Sequence, residues 1–260
     1  MNELYLKYGD KGVFRKDEVI KDFPHLKANA ISEKIKQAKK SKLIKGIQGR
    51  RSIYFIVLPG QDYETTRPDN FQLAAKITPD AIICYASALM ALGKSHTLLN
   101  TMYISSSTRF KELNYMGVKY RYVPLPKKKI SIQVIPYKGV AVRITTVERT
   151  LIDCLRSPRY SGGFENLYRS YESVGYINWK KLEDCLKHFK SKLLKARVGF
   201  FIELFKDRWG IPQEFFSRLE KHIPKNPDYF LGREVKSGKL IKRWNLIVPD
   251  QVLLIGGSND

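Results

Sequence analysis

Twelve side chains between residues 27 and 51 have the types and spacing of a duplex-binding set. Lys27, Lys34, Lys36, Lys39 and Lys40 crowd one short segment, and Lys45, Arg50 and Arg51 follow it closely. Cationic groups of this kind neutralise phosphates and release the counterions condensed on DNA, which supplies affinity without regard to sequence. Reading bases needs donors and acceptors near the start of a helix that enters the major groove. Asn29, Ser32, Glu33 and Lys36 are the candidates, and Asn29 is suited to a bidentate pair with adenine. Gln48, Gly49, Arg50 and Arg51 would stand at the tip of a hairpin, with Lys42 and Lys45 at its base.

Particular elements must position these groups. Ala28, Ile31, Ile35 and Ala38 recur at helical spacing and predict a helix with one inward stripe, leaving Asn29, Ser32, Glu33, Lys36 and Lys40 on or near the opposite face. Leu43 to Ile47 and Ser52 to Leu58 read as strands. Upstream, Asn2 to Tyr8 reads as a helix ended by Gly9. Lys16 to Asp22 reads as a second helix, stopping before Pro24 because the residue preceding proline avoids helical angles. This order predicts a winged helix-turn-helix domain at about residues 1–60.

Pro59 to Asn70 reads as a linker into a larger domain over residues 71–260. Its α/β part, 71–150, is predicted to hold a helix over Ile82 to Leu92 and strands at 101–104, 118–123, 130–135 and 140–144. Its mainly helical part, 151–260, is predicted to hold helices over Phe164 to Ser173, Trp179 to Phe189, Lys192 to Trp209 and Gln213 to His222. Asn178 is the expected N-cap of the second of these, and Tyr229 to Ile255 reads as a strand-like tail. The expected class is therefore α+β. Thr145 and Glu148 have the spacing of a capping box, and Arg149 and Asp153 that of an i,i+4 ion pair.

Composition narrows the function classes. The 260 residues carry a formal charge of +22 with 43% hydrophobic content, which suits cored domains with polyanionic partners. Cys84, Cys154 and Cys185 are odd in number and form no CxxC pair, so neither a disulfide framework nor a zinc knuckle is expected, and a reducing cytoplasm is the expected setting. The first residues, MNELYLKYGDKG, lack the apolar core of a signal peptide, and no apolar run reaches the ~18 residues of a membrane span.

Other residue groups suggest catalytic or metal chemistry only in fragments. Asp228, Glu234 and Lys236 spell a shortened PD-(D/E)xK pattern, in which two carboxylates hold a divalent metal and the lysine positions water; a charged turn is the competing reading. Cys185 and His188, three apart on a predicted helix, are two ligands short of a zinc site. Ser105, Ser106 and Ser107 have no visible base and read as a polar turn. No phosphate-cradling GxxxxGKS/T or GxGxxG occurs. Neither catalysis, metal nor cofactor is expected. A basic protein-interaction module without DNA specificity is the remaining alternative.

The order of segments, together with the phrase Thr145-Thr146-Val147-Glu148-Arg149-Thr150-Leu151-Ile152-Asp153-Cys154-Leu155, resembles the AbiEi antitoxins of type IV toxin–antitoxin systems over nearly the full length. Glu148, Arg149, Thr150 and Asp153 match the family phrase, whereas Thr146 and Val147 depart from it. The resemblance implies a repressor of its own operon that binds inverted repeats in the promoter, an arrangement a dimer on DNA would match. It also implies a C-terminal domain that counteracts a nucleotidyltransferase toxin without needing a stable complex with it.

Overall fold

The computed structural model describes residues 3–127, 130–232 and 238–257, and they form an α+β structure. Two compact units interleave along the chain. The first comprises Met1–Ile83, Asn100–Pro124 and Val134–Ile144; the second comprises Cys84–Leu99, Leu125–Gln133 and Thr145–Asp260. The expected division near residues 60–71 is therefore not a boundary between compact units. Segments on both sides of it belong to the first, where α4 (Asn70–Lys76) packs against β1 (Val13–Arg15). A Lys76–Glu18 ion pair reinforces that contact.

The first unit begins with α1 (Glu3–Tyr8), β1, α2 (Lys16–Asp22), α3 (Ala28–Lys40), β2 (Ile44–Ile47) and β3 (Arg50–Ile56). These strands form a sheet in the order β1-β3-β2, antiparallel throughout. At the start of α2 the Glu18 carboxylate accepts the backbone N–H of Arg15 at 2.8 Å, satisfying a donor that the helix end would orphan. The α3 stripe, Ile31, Ile35 and Ala38, is buried with Leu4, Tyr8, Phe14, Val19, Ile44, Tyr54 and Ile56 in one core. Each large aliphatic side chain withdrawn there contributes roughly 1.5–3 kcal/mol, which is what holds α3 in place. The helix ends where Lys42 turns to φ 56° and the Leu43 N–H reaches back to the Ala38 carbonyl at 3.0 Å.

A six-stranded sheet, all but Ile132, Gln133 and Thr145 of which falls in the same unit, is ordered β6 (Leu113–Tyr115), β7 (Val118–Tyr122), β5 (Thr101–Ser105), β4 (Ile82–Ile83), β9 (Val140–Thr145), β8 (Ile132–Tyr137). Strand β4 pairs antiparallel with β5 and parallel with β9. The helix expected over Ile82 to Leu92 is corrected accordingly. Its first residues are drawn into the sheet, Tyr85 takes φ 55° and ψ −144°, and only α5 (Ala86–Ala91) remains helical. Apolar residues in a short run suit either state, and the flanking strands decide between them.

The second unit gathers α5, α6 (Val147–Arg156), α7 (Phe164–Glu172), α8 (Trp179–Lys187), α9 (Lys192–Glu203), α10 (Gln213–Glu220) and α11 (Asp250–Gly257). Its small sheet has the order β10 (Asp228–Tyr229), β12 (Leu246–Val248), β11 (Lys239–Ile241), so among the described residues the expected strand-like tail consists of short strands followed by a helix. Gly199 of α9 lets the Trp244 ring lie against the helix backbone, since a Cβ there would meet that ring at 2.2 Å. Asn178 caps α8 as expected, accepting the Lys181 N–H at 3.0 Å.

The capping box is corrected by one residue. Thr146 is the N-cap of α6, its hydroxyl accepting the Arg149 N–H at 3.3 Å. Thr145 ends β9, and its buried hydroxyl bonds to that of Thr150 at 2.6 Å. Glu148 accepts instead from the Asn178 N–H at 3.2 Å. The expected ion pair is present, with Arg149 Nε 2.7 Å from Asp153 Oδ2 and both side chains fully buried. The Arg149 guanidinium also donates to the carbonyls of Pro126, Lys127 and Ile130, clamping that loop to the helix.

Burial pushes the Asp153 carboxyl up to about 6, against the pull of Arg149. A folded value above the ordinary ~3.9 means the folded state holds the proton more tightly between those limits. Stability from this titration is full below about pH 4 and lost as pH rises through about 6. Chemical denaturation of the parent and of Asp153→Asn across this range should show the parent's relative stability falling as pH rises. A difference that stayed flat would contradict the shift.

Candidate nucleic-acid interface

The core that buries one side of α3 leaves its other side to solvent. Lys27, Asn29, Glu33, Lys36, Lys39 and Lys40 are exposed, as are Gln48 and Arg51 on the hairpin. From Lys27 to Arg51 there are nine lysines and arginines and a single acid, Glu33. That acid lies 3.8 Å from Lys36, with both side chains more than half exposed, a pairing that water screens heavily. The face is thus strongly electropositive.

Strands β2 and β3 meet in a two-residue turn, Gln48–Gly49, between paired Ile47 and Arg50. Gly49 has φ 79°, a backbone state costly for other residues, and Gln48 and Arg51 project from the turn region. A cleft of about 430 Å³ lies between the end of α3 and this hairpin. Lys39, Lys45, Arg50 and Arg51 line it together with the rings of Tyr54 and Tyr63.

Four of the expected binding side chains are engaged within the unit. The Ser32 hydroxyl donates to the Ala28 carbonyl at 2.9 Å and accepts from Lys16 Nζ at 2.9 Å. Lys34 pairs with Glu3 at 3.1 Å. Lys45 donates to the carbonyls of Tyr63 and Glu64 at 2.8 and 3.0 Å and sits 5.1 Å from the Tyr63 ring centroid. Arg50 donates to the Lys111 carbonyl, lies over the Phe110 ring, and its burial lowers the guanidinium pKa. These four are held in place, whereas Lys27, Asn29, Glu33, Lys36, Lys39, Lys40, Gln48 and Arg51 remain presented.

Tyr63 was not among the expected site residues. It falls in the segment read as linker, and only the fold brings Lys42 and Lys45 over its ring, at 5.8 and 5.1 Å. Lys16 is likewise brought to α3 from another helix.

The other constellations are dispersed or occupied. Asp228 begins β10 and accepts the Tyr229 N–H at 2.8 Å, while Glu234 and Lys236 lie outside the described residues. Cys185 is buried and His188 is exposed, so the pair shares no accessible face. Among the described residues no group of three or more His, Cys, Asp or Glu side chains is placed to hold a metal. Ser106 donates to Asp80 at 2.5 Å and the Ser107 N–H donates to the same carboxylate at 2.7 Å. Burial opposes ionisation of Asp80, but these hydrogen bonds prevail and hold its carboxyl below the ordinary range. No described helix is long and apolar enough to cross a membrane.

No family model and no curated protein matches the chain. Among solved structures, the crystal structure of the RV2827C protein from Mycobacterium tuberculosis is similar, with a TM-score of 0.62 at 14% identity. The alignment covers 94% of this chain and 88% of that one. At this identity the likeness concerns the fold alone.

Proposed function

We propose that the chain is a DNA-binding transcriptional repressor whose first sixty residues act as a winged helix-turn-helix. The observation that carries this reading is the exposed, lysine-rich side of α3 standing beside a basic hairpin over a shared core. The order α1-β1-α2-α3-β2-β3, with its three-stranded sheet, supports it. In this reading the start of α3 enters the major groove, Asn29 reaches base edges, and Lys36, Lys39, Lys40, Gln48 and Arg51 hold the flanking backbone. Following the AbiEi resemblance, the repressor would regulate its own operon and serve as an antitoxin against a nucleotidyltransferase toxin. Binding to its own promoter fragment at moderate salt, against an excess of unrelated DNA, tests the first part. Rescue of growth on co-expression with a neighbouring nucleotidyltransferase tests the second. Promoter affinity no better than that for unrelated DNA would return the protein to a basic interaction module.

The internal engagement of Arg50 gives this reading a specific consequence. Arg50→Ala should weaken DNA binding by loosening the hairpin, yet leave the slope of log affinity against log salt unchanged. Arg51→Ala should lower that slope by about one, as loss of a phosphate contact does. Equal slopes for the two variants would show that Arg50 leaves its carbonyl partner to meet DNA.

A further inference from the structure

The helical unit carries a separate binding feature. A slot of about 230 Å³ opens among α8, α9 and α10. Leu186 and Leu219 form its apolar floor, and Lys187, Lys195, Lys221 and His222 stand around it. The one acid there, Glu183, is held by Arg218 through hydrogen bonds of 2.5 and 3.0 Å. Lys187 pairs with Asp184 at 2.7 Å, whereas among the described residues no carboxylate meets Lys195 or Lys221.

We propose that this slot docks an acidic protein segment that inserts one aliphatic side chain and sets carboxylates against the flanking lysines. Charge complementarity selects the partner's sign. The lysines around the slot favour carboxylates, and a second copy of a +22 chain would be repelled. Size selects the anchor, since the slot is smaller than the roughly 300–1,000 Å³ of sites that enclose whole small molecules. Chemistry favours a peptide over a nucleic acid, because among the described residues no Phe, Tyr or Trp lines the slot and His222 is the one ring there that could stack a base. Three helices around an apolar floor make a groove of the kind that receives a side chain from an amphipathic segment. The proposal is independent of the DNA-binding reading.

The test uses the full chain and a short, fluorescently labelled synthetic peptide with one leucine flanked on both sides by glutamates. Anisotropy should report saturable binding. Replacing the peptide leucine by serine should weaken it about tenfold or more, the effect of withholding one buried aliphatic group. The protein variant Lys195→Glu/Lys221→Glu should weaken it by at least a similar factor while leaving thermal stability unchanged. Lys36→Ala/Lys40→Ala should leave peptide affinity as it was. Equal affinity for the leucine and serine peptides would reduce the interaction to general charge attraction and overturn the proposal. So would binding insensitive to Lys195 and Lys221. Displacement of the peptide by duplex DNA in the Lys36→Ala/Lys40→Ala variant would assign the face to nucleic acid and also overturn it.

Discussion

Replacing Lys36 and Lys40 together by alanine is expected to weaken promoter binding about a hundredfold at 0.1 M salt. Each phosphate contact contributes close to one unit to the slope of log affinity against log salt. If that electrostatic contribution vanishes near about 1 M salt, each contact accounts for about one decade at 0.1 M, and two account for two decades. The slope itself should fall by about two. Both side chains are exposed, and neither belongs to the core that secures α3, so folding should be unaffected. Titration of a labelled promoter fragment at several salt concentrations measures both quantities. An unchanged slope would mean that this face of α3 does not meet phosphates, and the DNA-binding reading would fail with it.

The second large effect is on stability. Arg149→Met removes the cation hydrogen-bonded to Asp153 at 2.7 Å, and it strips donors from the carbonyls of Pro126, Lys127 and Ile130. Breaking one side of a buried pair costs roughly 3–5 kcal/mol, because the surviving charge has lost its compensation. Asp153 can shed part of that cost by taking up a proton, a shift already favoured by its burial. The loss should therefore be smaller at mildly acidic pH than at neutral pH. At roughly 2–4 °C per kcal/mol for a chain of this size, the melting temperature should fall by about ten degrees near neutral pH. Arg149→Met/Asp153→Leu should recover part of the loss, since apolar replacement of a whole buried pair is often close to neutral. A single variant within about 1 kcal/mol of the parent would mean that the clamp contributes little. The phrase that resembles the AbiEi family thus has a physical task here: its arginine and aspartate fasten a loop to a helix.

Much of this architecture can be read from local spacing. The buried stripe of Ile31, Ile35 and Ala38 follows from a period of 3.6 residues, which also sets Lys36 and Lys40 away from the core. The Arg149–Asp153 pair and the Asn178 cap are relations within one helical turn of their partners, so chain geometry brings them together. The end of α2 follows from the proline after it.

Relations between distant residues are of another kind. Arg50 and Lys111 are 61 positions apart, and Lys45 and Tyr63 are 18 apart, so no periodicity announces that these cations are held internally. Ile82 and Ile83 are helix-compatible until β5 and β9 flank them. Thr145 loses the N-cap role to Thr146 because strand β9 extends through it and draws its hydroxyl into the interior.

By itself, then, the sequence determined which residues face inward on α3, the excess of positive charge, and the ion pair within α6. Backbone periodicity and covalent spacing are sufficient for those. The tertiary structure alone decided which cations stay presented to a partner and which are bound to carbonyls and rings. It alone also decided how segments on both sides of residues 60–71 share one compact unit. Such outcomes depend on long-range pairing and burial, in which each side chain's fate is set by neighbours that the chain order does not name.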